Sequence, residues 1–156
     1  MQSLKLAFYK GNKFKNPDAT WLDTAICIAT AGQYSHVELV YHLDYETKTA
    51  KCWGASPYDK GVRRKDILLN PAHWDIYTLD GIMDNPTLHE WYGQHEGKPY
   101  DYLGALGVKF RIFRQDNGKW FCSEILASYL RHKRPHRMSP IKLYRVLKPQ
   151  LKKVRL

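Results

Sequence analysis

Paired cysteines are the first thing this 156-residue chain lacks. Its three cysteines, Cys27, Cys52 and Cys122, are an odd number and no two stand as C-x-x-C. That count argues against a disulfide framework and against a cysteine zinc site, and it makes a reduced setting the default. Long apolar runs are missing as well. No stretch reaches the length of a bilayer span, and MQSLKLAFYKGNKFKN has no apolar signal-peptide core, so the chain is expected to be soluble and cytoplasmic as synthesised. Zinc-finger spacing, an aromatic RNA-recognition box and a helix-turn-helix pattern are absent, which argues against a sequence-reading nucleic-acid module. With no internal repeat and no low-complexity linker, residues 1–156 are expected to form one domain.

Acidic residues are the scarcer charge, 15 against 25 Lys and Arg, for a net charge of +10. The positive residues gather at Lys10–Lys15, at Arg63–Lys65 and from Arg131 to the end. Nucleic acid, an anionic lipid surface or an anionic wall polymer would each satisfy such a field, and an ordinary solvated basic surface accounts for most of it. A hydrophobic share of 44% supports a core without covalent staples.

The hydrophobic pattern predicts an α+β fold. LKLAFYKG, SHVELVYHLD, TAKCWGAS and WDIYTLD have the alternation and β-branched content of strands, the second and third joined by a turn at Tyr45–Lys48. ATWLDTAICIATAG carries Trp21, Leu22, Ala25, Ile26 and Ile28 on or near one helical face, with Gly32 as its stop. Asn85 caps a helix that breaks near Gly97–Pro99. A turn at Asp116–Gly118 precedes a terminal helix starting at Cys122, with Ile125, Leu126, Tyr129 and Leu130 at helical spacing. Short connections imply an antiparallel sheet packed against helices.

Cys122 at a helix start can be read two ways. The free N–H groups and the dipole of a first turn favour a thiolate nucleophile, yet a lone cysteine is often only a small buried apolar residue. His36 and Glu38, two apart on one strand, face the same side. If the Cys122 helix packs there, a base meets a thiol and a carboxylate can orient the ring; otherwise the two are a polar stripe on a half-buried strand. Cys27 and Cys52 sit among apolar neighbours and read as core. His132 and His136 have metal-ligand spacing, but Pro135 interrupts the helix such a site needs, so no metal and no cofactor is expected.

The order of four blocks, SHVELV, GVRRKDI, GKPYDYLG and KWFCSE, resembles the permuted NlpC-like cysteine peptidases, the YiiX-type branch of the papain-like fold, and also a set of small bacteriophage proteins. It spans roughly Leu4 to Tyr144. The resemblance implies Cys122 as nucleophile and His36 as general base, in a thiol hydrolase that cleaves an amide or peptide bond, expected in peptidoglycan. It also implies a virion-associated protein or one released at lysis. Many such sequences carry an acid on the strand after the histidine strand, where this chain has Gly54; Glu38 is the substitute, with Ser56 and Asp59 in reserve. The Cys122 N–H is the expected oxyanion donor, with a second from Tyr9 or Lys10. The resemblance places Tyr100 and Asp101 beside the cysteine, and Tyr9, Ser56, Tyr100 and Asp101 are the expected substrate contacts. The aromatics of HEWYGQ are candidate groove residues. An acyltransferase or thioesterase on the same fold, or a catalytically silent binding protein, remain the alternatives.

Overall fold

Alternating apolar residues along SLKLAFYK and YSHVELVYHL form the two central strands, β1 (Ser3–Lys10) and β2 (Tyr34–Leu43), in the computed structural model, which describes residues 3–107 and 118–156. Between them lies α1 (Trp21–Thr30). Thr20 caps it: the Thr20 hydroxyl accepts the Asp23 N–H at 3.3 Å, and the Asp23 carboxylate accepts the Thr20 N–H at 2.9 Å. The left-handed residue that ends the helix is Ala31 rather than Gly32. Gly32 is needed for a different reason, since a Cβ there would lie 2.5 Å from the Ile141 side chain.

The chain continues through β3 (Thr49–Ser56), β4 (Gly61–Leu68) and β5 (Trp74–Met83) to α2 (Pro86–His95), which Asn85 caps through the Leu88 N–H. Then come α3 (Tyr102–Gly107), α4 (Cys122–Tyr129), α5 (Pro140–Leu147) and β6 (Leu151–Val154). All strand neighbours are antiparallel, in the order β4-β3-β2-β1-β5-β6, and the fold is α+β. GVRRKDIL is therefore a strand as well as a motif. The helix at Cys122 is not the last, because Ser139 caps α5 through the Lys142 N–H. Of the expected turn before α4, Gly118 lies in a turn and Asp116 and Asn117 fall outside the described residues.

The main core joins Leu6, Phe8, Val37 and Leu39 of the sheet to Leu88 and Tyr92 of α2, Ile125 and Leu126 of α4, and Leu143 of α5. A smaller one gathers Ala7, Val40, Cys52 and Ile76. Each such large side chain contributes about 1.5–3 kcal/mol on leaving water. Helix α1 buries a narrower face than its apolar pattern predicts: Ile26 and Cys27 are covered, but Trp21 is 76% and Ile28 70% exposed. Those two are seven residues apart and share the outer side. Among the described residues no helix is long and apolar enough to cross a membrane.

One feature of the sheet positions the site. The β2–β3 ladder runs from Leu43–Ala50 to Leu39–Trp53, while Gly54, Ala55 and Ser56 pair with β4. The two strands thus diverge at the end carrying His36 and Glu38, and α4 packs on both of them.

Candidate active site

Cys122 is the first residue of α4, after Phe121 in extended conformation. The Phe121 N–H donates to the Glu124 carboxylate at 3.4 Å, half of a capping box, and this turn is drawn inward until Ser123 and Glu124 are fully covered. Burial, opposed by that hydrogen bond and reinforced by Asp101, pushes Glu124 up to about 7. The thiol goes inward too. A nucleophile at a cleft rim would carry a half-exposed sulfur, but Cys122 is only 3% exposed, because the helix start sits against the sheet where β2 and β3 part.

His36 projects from the end of β2 where β3 has parted from it, with its side chain 16% exposed. Its Nε2 stands 2.5 Å from Glu38 Oε1, which leaves Nδ1 as the ring nitrogen for another partner. Cys122 acts on the same ring. Burial alone would lower the imidazolium, but the sulfur, as a charged and hydrogen-bonding neighbour, and the Glu38 carboxylate together raise it to about 10.

Glu38 is fully buried and folds back toward the ring two residues earlier. A strand spacing of about 6.5–7 Å makes that bend demanding. Gly54 makes room for it: a Cβ at Gly54 would collide with the Glu38 carboxylate and lie 2.8 Å from Arg63 Nη1. Arg63 Nη1 donates to Glu38 Oε2 and Nη2 to Oε1, both at 2.7 Å, a two-pronged clamp. Burial would raise the Glu38 carboxyl, yet His36 and Arg63 hold it below the usual range. The chain of charges continues outward, with Arg63 Nε donating to Asp59 Oδ2 at 2.8 Å and Lys65 Nζ to Asp59 Oδ1 at 2.7 Å. Asp59 is thereby engaged by Arg63 and Lys65 rather than by the imidazole.

A cleft of about 460 Å³ opens on His36 and Glu38, walled by Tyr9, Ser56, Trp74 and Tyr100 among others. Tyr9 is the cross-strand neighbour of His36, with its ring 5.0 Å from that of Trp74. Tyr100, bridged to Trp120 two residues before the cysteine, is raised by burial first and by the Cys122 charge second. Ser56 accepts the Tyr58 N–H at 3.2 Å.

Other expected contacts lie elsewhere. The Asp101 carboxylate accepts the Gly104 N–H at 2.8 Å and the Asp101 backbone N–H donates to the Trp120 carbonyl, so Asp101 ties α3 to the segment entering α4 and does not line the cleft. Lys10 turns away, its Nζ donating to the Pro71 carbonyl at 3.0 Å, and it does not line the cleft. Trp91 and Tyr92 of HEWYGQ pack in and against the main core, Tyr92 stacked on Trp53 at 5.5 Å, and leave the cleft wall to other residues.

Arg63 and Gly54 are the site residues that sequence reasoning did not assign. Both were within reach of it: Arg63 stands in the GVRRKDI block, and Gly54 is the place where the expected acid is missing. No family model, curated protein or solved structure matches the chain.

Proposed function

We propose that this protein is a cysteine hydrolase of amide or peptide bonds, on a permuted papain-like fold of the NlpC-like, YiiX-type kind. The observation that carries this reading is the relay Cys122–His36–Glu38–Arg63: a thiol at a helix start, an imidazole charged by it, and a carboxylate clamped in place behind the ring.

In the proposed course His36 takes the thiol proton and the sulfur attacks the carbonyl carbon. The resulting oxyanion is met by the Cys122 N–H, one of the first-turn amides that a helix leaves free, with the Tyr9 hydroxyl as second donor. Collapse breaks the C–N bond; the imidazolium gives its proton to the departing amine, and a thioester remains. Water, deprotonated by His36, attacks the thioester, and the carboxylic acid leaves as the proton returns to sulfur. Glu38 and Arg63 are positioning residues, which fix the ring and stabilise its charged form. The substrate class we favour is a peptide of peptidoglycan.

Cleft chemistry bears on how such a substrate is drawn in. Asp18, Asp23, Asp59 and Asp66 line it against Arg63 and Lys65, so the excess positive charge of the protein lies outside the cleft. A second reading, an acyltransferase or thioesterase, draws on Leu22, Ile26, Ile67 and Leu68 in the same wall. The test is a screen of peptidoglycan fragments, short peptides and acyl thioesters with wild type beside Cys122→Ala and His36→Ala. Amide cleavage lost in both variants supports the hydrolase; thioester turnover alone supports the second reading; no turnover of any substrate by wild type sinks both.

A further inference from the structure

Away from the cleft, α1 and the loop before it leave three large apolar side chains uncovered. Phe14 is 92% exposed, Trp21 76% and Ile28 70%. They belong to one face. Trp21 and Ile28 are two helical turns apart, and Thr24 lies between them on the same side. The Lys13 N–H donates to the Thr24 hydroxyl at 3.3 Å, which pins the loop carrying Phe14 across that face, and Phe14 and Ile28 border the same depression. Positive charge borders Phe14 and Ile28. Lys13 and Lys15 flank Phe14 directly, and Arg145, whose Nη2 donates to the Ala31 carbonyl at 3.2 Å, borders the depression with Lys15. The nearest acids are engaged: Asp23 accepts from the Thr20 N–H and from the Ser35 hydroxyl, and Asp18 pairs with His73 at 3.2 Å.

We propose that this face docks on the surface of an anionic lipid bilayer, with Phe14, Trp21 and Ile28 entering the acyl boundary and Lys13, Lys15 and Arg145 meeting headgroup phosphates. Charge and apolarity together select that occupant. A protein interface concentrates apolar residues at a centre depleted of charge, whereas here lysines stand on both sides of the most exposed aromatic ring. A nucleic acid would meet the cations but has no apolar phase to receive Ile28. A bilayer supplies both, and Trp and Phe favour its interfacial layer. Leu22 and Ile26 of the same helix line the cleft, so docking would set the cleft at the edge of the membrane. The inference is independent of the hydrolase reading, because no residue of the relay takes part.

Co-sedimentation with vesicles tests it, comparing phosphatidylcholine alone with phosphatidylcholine containing about a third phosphatidylglycerol at low salt. Binding to the anionic vesicles only is expected. Phe14→Ser and Trp21→Ser should each lower partitioning roughly tenfold, and Lys13→Glu with Lys15→Glu should abolish it, whereas Arg131→Glu with Lys133→Glu and Cys122→Ala should bind as wild type. These side chains are exposed, so unchanged melting temperatures should accompany the losses. Absence of anionic-vesicle binding overturns the proposal, as does binding that survives Phe14→Ser and Trp21→Ser. Self-association or single-stranded RNA binding that is lost in Trp21→Ser, with no vesicle binding, assigns the face to a second copy or to a polyanion and overturns it equally.

Discussion

Gly54 and Glu38 occupy one space between them. Where the proposed family would carry an acid on β3, this chain has a glycine, and the carboxylate arrives from β2 into the volume that the missing side chain leaves. Gly54→Ala should therefore act at a distance from its own small change. It displaces a buried, doubly clamped carboxylate, with a stability loss of about 3–5 kcal/mol, the cost of breaking a buried pair, measured by denaturant unfolding. A loss under about 1 kcal/mol would mean the carboxylate does not need that space. Arg63→Lys keeps a charge but loses the fork. In amide hydrolysis it should cost about 10–100-fold in kcat/KM, less than His36→Ala and comparable with Glu38→Gln, and the alkaline limb of the pH profile should move down as the support for the imidazolium weakens. A purely structural arginine would change stability and leave that limb in place.

Among the elements, those with strong periodicity were legible and those at the edges were not. Strands β1, β2, β3 and β5 alternate clearly because they lie against a core. Strand β4 carries Arg63, Arg64, Lys65 and Asp66 in succession, since an edge strand with half its groups in water needs no alternation, and its polar run hid it. Strand β6, four residues with two lysines, is hidden in the same way. Helix α5 had a readable signal in Ser139–Pro140. The exposed Trp21 and Ile28 misled the periodicity of α1, because the pattern reports which residues are apolar and not whether a partner covers them. At the site, the types and order of Cys122, His36 and Glu38 were legible, while the Arg63 clamp, which joins residues 25 apart, depends on strand register.

Gly61 shows how much that register matters. Its φ of +148° and its contact with the Lys98 carbonyl bring the start of β4 against the segment leading to Tyr100. Gly61→Ala should lower the melting temperature by about 5–10 °C, from about 2–3 kcal/mol of strain and displacement. An unchanged melt would show that this approach has slack.

At the scale of the whole molecule, the relay links stability to pH. His36 is raised from 6.5 to about 10, so the contribution of its charged form is complete below about pH 6.5 and is lost as pH climbs toward 10. Glu38 is held low, and its contribution, present above the ordinary value of 4.5, is lost as pH falls below it. The melting-temperature advantage of wild type over His36→Gln should accordingly shrink between pH 7 and 10; an advantage that stays flat across that window would mean the imidazole carries no charge in the fold.

Alkylation by iodoacetamide followed by peptide mass analysis tests Cys122 as a nucleophile activated by His36 without knowledge of the substrate. Cys27 is pushed up to about 11 by burial, and Cys52 is raised further. All three cysteines are buried, so exposure alone predicts similar, slow labelling. The relay predicts instead that Cys122 is modified at neutral pH at least about 100-fold faster than the other two, and that His36→Ala removes most of that advantage while leaving Cys27 and Cys52 unchanged. Equal rates at the three cysteines of the folded protein, or a Cys122 rate indifferent to His36→Ala, would contradict it.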